Sequence, residues 1–183
     1  MAWQRGSAVA DDSLKALYRR SHTSLEGYPA YVAAKSDSVA SLGGSRPIAP
    51  EVRMVSLPGD TLNARTLAGK VVVLNFWYIG CIPCRVEMPS LNKLVADYKD
   101  RDVAFIAVAW DDPDALKAFL AKSAFAYQVV PNGKLIAGDF GVSLYPTHVV
   151  IGKDGRTDLR LVGEDSTHVP LLRLLIDRAL ARK

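Results

Sequence analysis

Two short, almost continuous apolar runs stand out in the middle of the chain. Residues 71–77 (VVVLNFW) and 103–110 (VAFIAVAW) are rich in β-branched residues, which is typical of strands buried on both faces. Between them, apolar residues recur at helical spacing from 91 to 98, which predicts a helix that ends near residue 99. Residues 111–122 (DDPDALKAFLAK) open a further helix, with an aspartate cap and a proline in its first turn.

Alternating apolar residues around turn residues predict two hairpins. One covers residues 52–64, around a Pro-Gly-Asp turn, and the other covers residues 147–163, around a Lys-Asp-Gly-Arg turn. A short strand within 126–130, a helical turn within 132–142 and a closing helix over 166–182 complete the pattern. This order predicts an α/β fold: a central mixed β-sheet with helices on both faces.

The first 45 residues differ from the rest. Residues 11–20 and 29–42 each have the pattern of a short helix, and the sequence GGSRP at 43–47 then breaks it. We therefore divide the chain into an N-terminal extension of helical or mobile character, residues 1–45, and a domain over residues 46–183.

Composition and charge narrow the classes of function. Apolar residues make up 49% of the 183 and charged residues 23%, as in an ordinary soluble domain. The apolar runs are far shorter than the roughly 20 residues that span a bilayer, and we expect no secretory signal in this chain. The net charge of +4 comes mostly from residues 173–183, where an apolar stripe lies opposite the cations. That pattern favours a solvated helix face, so we expect no nucleic-acid partner, and we expect a monomer.

The only two cysteines, Cys81 and Cys84, lie three positions apart after the first apolar run. They could form a redox pair, bind a metal or make a structural disulfide. The remaining zinc ligands would be His22, His148 and His168, which are scattered, so we expect no metal site. A structural disulfide would close a very short loop, which restricts the unfolded chain least. A redox pair has a mechanism, because amide groups and the dipole at a helix N-terminus stabilise a thiolate.

The segment 71–91 (VVVLNFWYIGCIPCRVEMPSL) resembles the active-site segment of the thioredoxin superfamily, in its TlpA/ResA-like, AhpC/TSA-related branch of thiol–disulfide oxidoreductases. The resemblance runs from about residue 48 to the end of the chain. Pro89 matches the proline inside the active-site helix of that family, and Tyr145, Pro146 and Thr147 match the segment that contains its cis-proline.

The resemblance implies a role for each matched residue. Cys81 would attack a client disulfide and Cys84 would resolve the mixed disulfide. Tyr145, Pro146 and Thr147 would form the substrate groove opposite the cysteines.

Residues around the cysteines complete the predicted site. Trp77, Gly80, Ile82 and Pro83 are candidates for substrate contact, and Gly80 leaves the flank of Cys81 open.

Glu87 is three residues after Cys84 and so lies on the same helix face. It is the candidate proton relay, because the strand before the cysteines carries Asn75 where cytosolic thioredoxins resembling this chain have an aspartate. A solvated glutamate of the first helical turn is the alternative. His148 is interpreted as an ordinary strand residue.

The resemblance implies a reductant of protein disulfides, for example in apocytochrome c, recharged by an upstream thiol donor. The Cys81–Cys84 dithiol would carry the electrons without any other cofactor. The protein would be extracytoplasmic, either periplasmic or tethered to a membrane, with a signal or anchor absent from this chain; a cytoplasmic location is the alternative. Two alternatives remain. One is a binding module without redox turnover. The other is a thiol peroxidase, which is disfavoured because Leu74 and Tyr78 stand where a peroxidase motif needs proline and a hydroxyl residue.

Overall fold

The computed structural model describes residues 15, 16, 19, 46–163 and 168–182. In chain order its elements are β1 Met54–Val55, β2 Thr61–Leu62, β3 Val71–Trp77, α1 Ile82–Asp97, β4 Val103–Ala109, α2 Pro113–Leu120, β5 Gln128–Val130, α3 Lys134–Asp139, β6 Thr147–Ile151, β7 Thr157–Val162 and α4 His168–Ala181. The strands and helices predicted between residues 52 and 182 are all present, with bounds that differ by a few residues.

The central sheet has five strands in the order β5-β4-β3-β6-β7. β3 is parallel to β4 and antiparallel to β6, and β6 pairs antiparallel with β7. The predicted mixed sheet is therefore confirmed. β3 lies at the centre, and all seven of its residues are buried, which explains its continuous apolar sequence.

Alternate residues of β3 face two different cores. Val71, Val73 and Trp77 pack with apolar residues of α1, α2 and α4 on one face of the sheet. Val72, Leu74 and Phe76 pack on the other face with residues of α3 and of the β1–β2 hairpin. Since side chains of a strand alternate, Asn75 belongs to the face that α1 and α4 cover. That position decides its role in the site.

The turn between β6 and β7 depends on a glycine. Gly155 has φ +71°, which side chains disfavour, and its N–H donates to the carbonyl of Gly152. The hairpin also holds the start of the described domain, because the N–H of Ala49 donates to the carbonyl of Gly155.

Lys15, Ala16 and Arg19 are helical, as predicted for residues 11–20. The second predicted helix lies outside the described residues, and the division at residue 45 stays a prediction. No helix in the described part of the chain is long and apolar enough to cross a membrane.

Candidate active site

The cysteine pair lies where β3 passes into α1. Cys81 is the N-cap of α1, and its sulfur accepts a hydrogen bond from the N–H of Cys84 at 3.2 Å. A disulfide joins the two residues. Both are nearly buried, Cys81 with 3% and Cys84 with 1% of its surface exposed. The sulfur of Cys81 therefore sits among the unpaired amides of a helix N-terminus, as the redox mechanism requires.

The loop before the cysteines is tied to the end of the neighbouring strand. The N–H of Ile79 donates to Oδ2 of Asp111 at 2.8 Å, and the N–H of Trp110 donates to the carbonyl of Trp77. The N–H of Cys81 in turn donates to the carbonyl of Tyr78. These bonds fix the position of the disulfide relative to the sheet. Asp111 comes right after β4 and had no distinguishing feature in the sequence.

The rim of the disulfide is exposed and mostly apolar. Gly80, Ile82 and Pro83 are all exposed, Ile82 with 65% of its surface. Val86, one helical turn after Ile82, is also exposed. An exposed apolar rim beside a disulfide is suited to contact with the apolar part of a protein client.

The segment before β6 reaches the same edge of the sheet. The Tyr145–Pro146 peptide bond is cis, as the resemblance implied, and Pro146 is buried. The next residue, Thr147, pairs with Phe76 in the sheet. Since Phe76 lies one residue before the end of β3, Pro146 is adjacent to the strand that leads to the cysteines.

Three aromatic rings form a cluster beside this segment. Tyr78 stacks on Trp110 with ring centroids 5.4 Å apart, and Nε1 of Trp110 donates to the hydroxyl of Tyr145 at 2.6 Å. The ammonium group of Lys134 lies 4.9 Å from the Trp110 ring centroid, within the range of a cation–π contact. Burial raises the pKa of the Tyr145 phenol. Tyr145 is therefore a neutral, half-buried part of the rim.

Two of the predicted contact residues have buried side chains. Trp77 is completely buried, and its ring packs against Phe119 and Phe125. Thr147 is completely buried as well, and its hydroxyl donates to the carbonyl of Leu144. Contact between these two residues and a client therefore stays a prediction. Trp77 lies on the face of the sheet that α1 and α2 cover, whereas Thr147 pairs with Phe76 and lies on the opposite face.

Behind the disulfide lies a polar cluster that is closed off from water. Glu87 has 7% of its surface exposed, Asn75 1% and His148 none. The Nδ2 group of Asn75 donates to Oε1 of Glu87 at 3.0 Å, and Oε2 of Glu87 lies 3.0 Å from Nε2 of His148. The triangle closes with 3.2 Å between Asn75 Nδ2 and His148 Nδ1. The alternative of a solvated Glu87 is thus excluded. Three elements, α1, β3 and β6, build this cluster.

Two further buried groups of the described chain adjoin the cluster. Tyr127 lies just before β5, and burial and the Glu87 carboxylate both raise the pKa of its phenol. Its hydroxyl and Nε1 of Trp77 are buried without a hydrogen-bond partner among the described residues. His168, the first residue of α4, packs edge-on against His148, with ring centroids 6.1 Å apart. Glu87 is therefore shielded from water on all sides, which makes its hydrogen bonds strong.

Sequence reasoning located Glu87 but missed His148. A histidine in an apolar strand was interpreted as structural, and its contact with Glu87 depends on the pairing of β3 with β6. One feature could have revealed it. His148 and Val150 lie on the same face of β6, and Val150 belongs to the core that α1 covers, so a polar ring at position 148 requires a buried partner. In the described part of the chain, no group of three or more His, Cys, Asp or Glu could hold a metal ion.

Comparison with known proteins agrees with this geometry. The model of the AhpC/TSA family matches residues 47–158. The thiol-disulfide oxidoreductase ResA of Bacillus thuringiensis (strain Al Hakam) is 37% identical over 120 residues, which are 64% of this chain and 69% of the relative. The crystal structure of a DsbE-type thiol:disulfide interchange protein from Chlorobium tepidum superimposes with a TM-score of 0.67 at 28% identity, over 73% of this chain and 95% of that one.

A secreted disulfide oxidoreductase of Mycobacterium tuberculosis, homologous to E. coli DsbE, superimposes with a TM-score of 0.57 at 25% identity. The superposition covers 68% of this chain and 94% of the Mycobacterium tuberculosis chain. The family model spans more than half of the chain, and the match to ResA covers more than two thirds of that relative. The fold and the cysteine pair of this chain agree with both matches. The chain therefore belongs to the AhpC/TSA family, as a thioredoxin-like thiol–disulfide oxidoreductase of the ResA-like kind that residues 71–91 predicted.

Proposed function

We propose that this protein reduces disulfide bonds of client proteins, with Cys81 as nucleophile, Cys84 as resolving thiol and Glu87 as proton relay. The observation that carries the proposal is the position of Glu87. Its carboxyl group is buried one helical turn after Cys84, and side chains of β3 and β6 hold both of its oxygens. A carboxylate so placed is suited to accept a proton from a thiol that must become a nucleophile.

The reaction has two exchange steps. In the first, the Cys81 thiolate attacks one sulfur of the client disulfide, a new S–S bond forms, and the other client sulfur leaves as a thiolate that takes up a proton. In the second, the Cys84 thiol gives its proton to Glu87 and attacks the sulfur of Cys81. The mixed disulfide breaks, and the released client thiolate takes the proton from Glu87. The client gains two electrons and two protons, and the protein ends as the Cys81–Cys84 disulfide.

Clients would dock on the exposed rim of the site. Gly80, Ile82 and Pro83 flank the disulfide on the side of α1, and Tyr145 with Pro146 borders the other side. The backbone of the cis-proline segment would align an extended client strand against the cysteines. A disulfide within a flexible protein segment, such as that of an apocytochrome c, fits this description.

The direction and the location of the reaction belong to the proposal. We place the protein outside the cytoplasm, where client disulfides persist. The secreted relative from Mycobacterium tuberculosis supports this location. Acting as a reductant there requires an upstream thiol donor that returns the Cys81–Cys84 disulfide to the dithiol.

Trapping of the mixed disulfide tests the assignment. The reduced Cys84→Ser variant should stay covalently linked to a peptide that contains a disulfide, while reduced wild-type protein should release the peptide as a dithiol. The Cys81→Ser variant is the matched control and should form no adduct. Full reducing activity of Cys81→Ser would contradict the role of Cys81. No adduct from Cys84→Ser and no reduction by the wild type would indicate a binding module instead.

A further inference from the structure

Asn75, Glu87 and His148 form a closed triangle of polar contacts, and its geometry restricts where protons can reside. One atom, Nδ2 of Asn75, contacts both Oε1 of Glu87 and Nδ1 of His148. The third side joins Oε2 of Glu87 to Nε2 of His148. Each side needs one hydrogen between two heavy atoms, so the protonation states of the three residues depend on each other.

With the Asn75 amide group donating, only one arrangement satisfies all three contacts. Its two N–H groups point to Oε1 and Nδ1, so both of these atoms must be acceptors. The single hydrogen on the third side then belongs to Nε2, because an imidazole without any hydrogen does not occur in proteins. Glu87 is a carboxylate in this arrangement and His148 is a neutral imidazole with its hydrogen on Nε2.

An imidazolium form of His148 does not fit the same contacts. A hydrogen on Nδ1 would face the N–H group of Asn75, and two donors would oppose each other at 3.2 Å. A 180° flip of the Asn75 side-chain amide places its oxygen against Nδ1 of His148, but also against Oε1 of Glu87. That second contact then requires a hydrogen on Oε1 as well. The alternative arrangement therefore holds two more hydrogens than the first.

All three hydrogen bonds of the triangle can therefore form when the Glu87 carboxyl group and the His148 ring nitrogens together carry one hydrogen or three. They cannot all form when these groups carry two. Adding one proton to Glu87 leaves at least one contact between two donors or two acceptors. In a site closed to water such a mismatch is costly. A proton that reaches Glu87 is consequently held only briefly.

We propose that Asn75 and His148 are positioning residues that hold Glu87 as a carboxylate, with His148 in its neutral Nε2–H form, so that Glu87 hands on any proton it receives. The inference rests on the proposed function, because the proton comes from the Cys84 thiol and leaves with the client thiolate. The other titratable groups facing the triangle in the described part of the chain are the cysteines on α1, Tyr127 before β5 and His168 on α4. Tyr127 stays a phenol, because burial and the Glu87 carboxylate raise the pKa of its hydroxyl, and His168 packs edge-on against the His148 ring with centroids 6.1 Å apart.

The tautomer of His148 is measurable in the oxidised full-length protein. Long-range ¹H–¹⁵N correlation spectra of the ¹⁵N-labelled chain distinguish the two neutral forms and the imidazolium, and the His148→Gln variant assigns the resonances. We expect these spectra to show the neutral Nε2–H form of His148, as the three contacts of the triangle require. An imidazolium, or a hydrogen on Nδ1, at pH 7 would overturn the inference.

The Asn75→Asp variant tests the part played by the amide. A carboxylate offers acceptors to both partners, so His148 should become an imidazolium at pH 7. Asn63→Asp, in the turn after β2, is the control, because an aspartate there can still accept from the N–H groups of Arg65 and Thr66; it should leave the His148 spectrum unchanged. A neutral Nε2–H form of His148 that persists in Asn75→Asp would show that Asn75 does not select the tautomer.

Kinetics of the resolving step give a second readout. His148→Val removes the donor to Oε2 and should slow release of a mixed disulfide at pH 7 about tenfold. His148→Gln can still donate and should recover most of that rate; equal rates for the two variants would contradict the positioning role. The proposed function can fail separately. If the wild type exchanges no thiols while His148 keeps the Nε2–H form, the exchange chemistry is wrong and the protonation assignment stands.

Discussion

At the scale of single residues, the chemistry depends on one carboxyl group. Replacement of Glu87 by Gln keeps the size of the side chain but removes the proton acceptor. We expect the resolving step to slow by roughly 10²-fold at pH 7. The deficit should shrink as the pH rises, because hydroxide can then remove the proton of the Cys84 thiol without Glu87. Stopped-flow measurement of mixed-disulfide release between pH 6 and 10 gives the profile.

An exposed glutamate provides the control for this substitution. Glu51→Gln makes the same chemical change at the surface and should leave the rate and its pH dependence unaltered. A Glu87→Gln protein whose pH–rate profile superimposes on that of the wild type would remove Glu87 from the mechanism.

The residue scale also shows what a sequence can reveal about a site. Cys81, Cys84 and Glu87 follow each other on one helix, so their spacing alone puts them on one face. His148 lies 61 positions after Glu87 and meets it only because β6 pairs with β3. Strand pairing is a property of the whole fold and leaves no local pattern. Trp77 is a candidate for substrate contact because it is close to Cys81 in sequence, whereas strand alternation directs its side chain into the core.

At the scale of elements, α1 connects the cysteines to the rest of the fold, and its far end is tied to α4. Asp97 near the end of α1 forms an ion pair with Arg173 of α4. Burial tends to raise the pKa of Asp97, but the Arg173 guanidinium outweighs this effect and lowers it. A carboxyl group whose pKa is lowered by folding stabilises the fold above its unfolded pKa, and that contribution is lost as the pH falls through the folded pKa.

The Asp97→Asn variant should therefore unfold more easily than the wild type at pH 7, by about 0.5 to 1 kcal/mol, as for ion pairs near the surface. As the pH falls through the folded pKa of Asp97 towards about 2, this difference in the free energy of unfolding should shrink, because the wild-type carboxyl group becomes protonated as well. Urea denaturation at both pH values measures the difference. Asp114→Asn is the control, because the Asp114 side chain is almost fully exposed and its ion pair among the described residues is with Lys117 of its own helix. A difference that is equally large at pH 2 would show that the charge of Asp97 is not its cause.

The elements themselves were predictable to different degrees. β3 and β4 are continuous β-branched runs buried on both faces, and α2 carries its own cap, since Asp112 accepts from the N–H groups of Asp114 and Ala115. Such local features can be identified without the fold. The order of strands in the sheet has no local counterpart, and the sequence predicted only a mixed sheet with helices on both faces.

At the scale of the whole molecule, the redox role and the stability of the fold are linked. If folding makes the Cys81–Cys84 disulfide harder to reduce than in the unfolded chain, the oxidised fold must be more stable than the reduced fold by the same free energy. With the cysteines three positions apart, closing the loop restricts the unfolded chain by only about 2 kcal/mol. This corresponds to roughly 40 mV for a two-electron couple. Any further difference in stability between the oxidised and the reduced protein arises from interactions around the cysteines in the folded state.

A reductant should therefore be more stable in its oxidised form. We expect urea denaturation to give a larger free energy of unfolding for the disulfide than for the dithiol, and equilibration with glutathione buffers to give a potential at or below about −230 mV. The Cys81→Ser/Cys84→Ser double variant should show no dependence on the redox buffer, which separates the effect of the disulfide from that of the reagents. A strong oxidant has the opposite signature, because its reduced form is the stabilised one and its potential lies near −120 mV. A reduced protein that is the more stable of the two, together with such a potential, would reverse the proposed direction of electron flow, whereas the roles of Cys81 and Cys84 would remain.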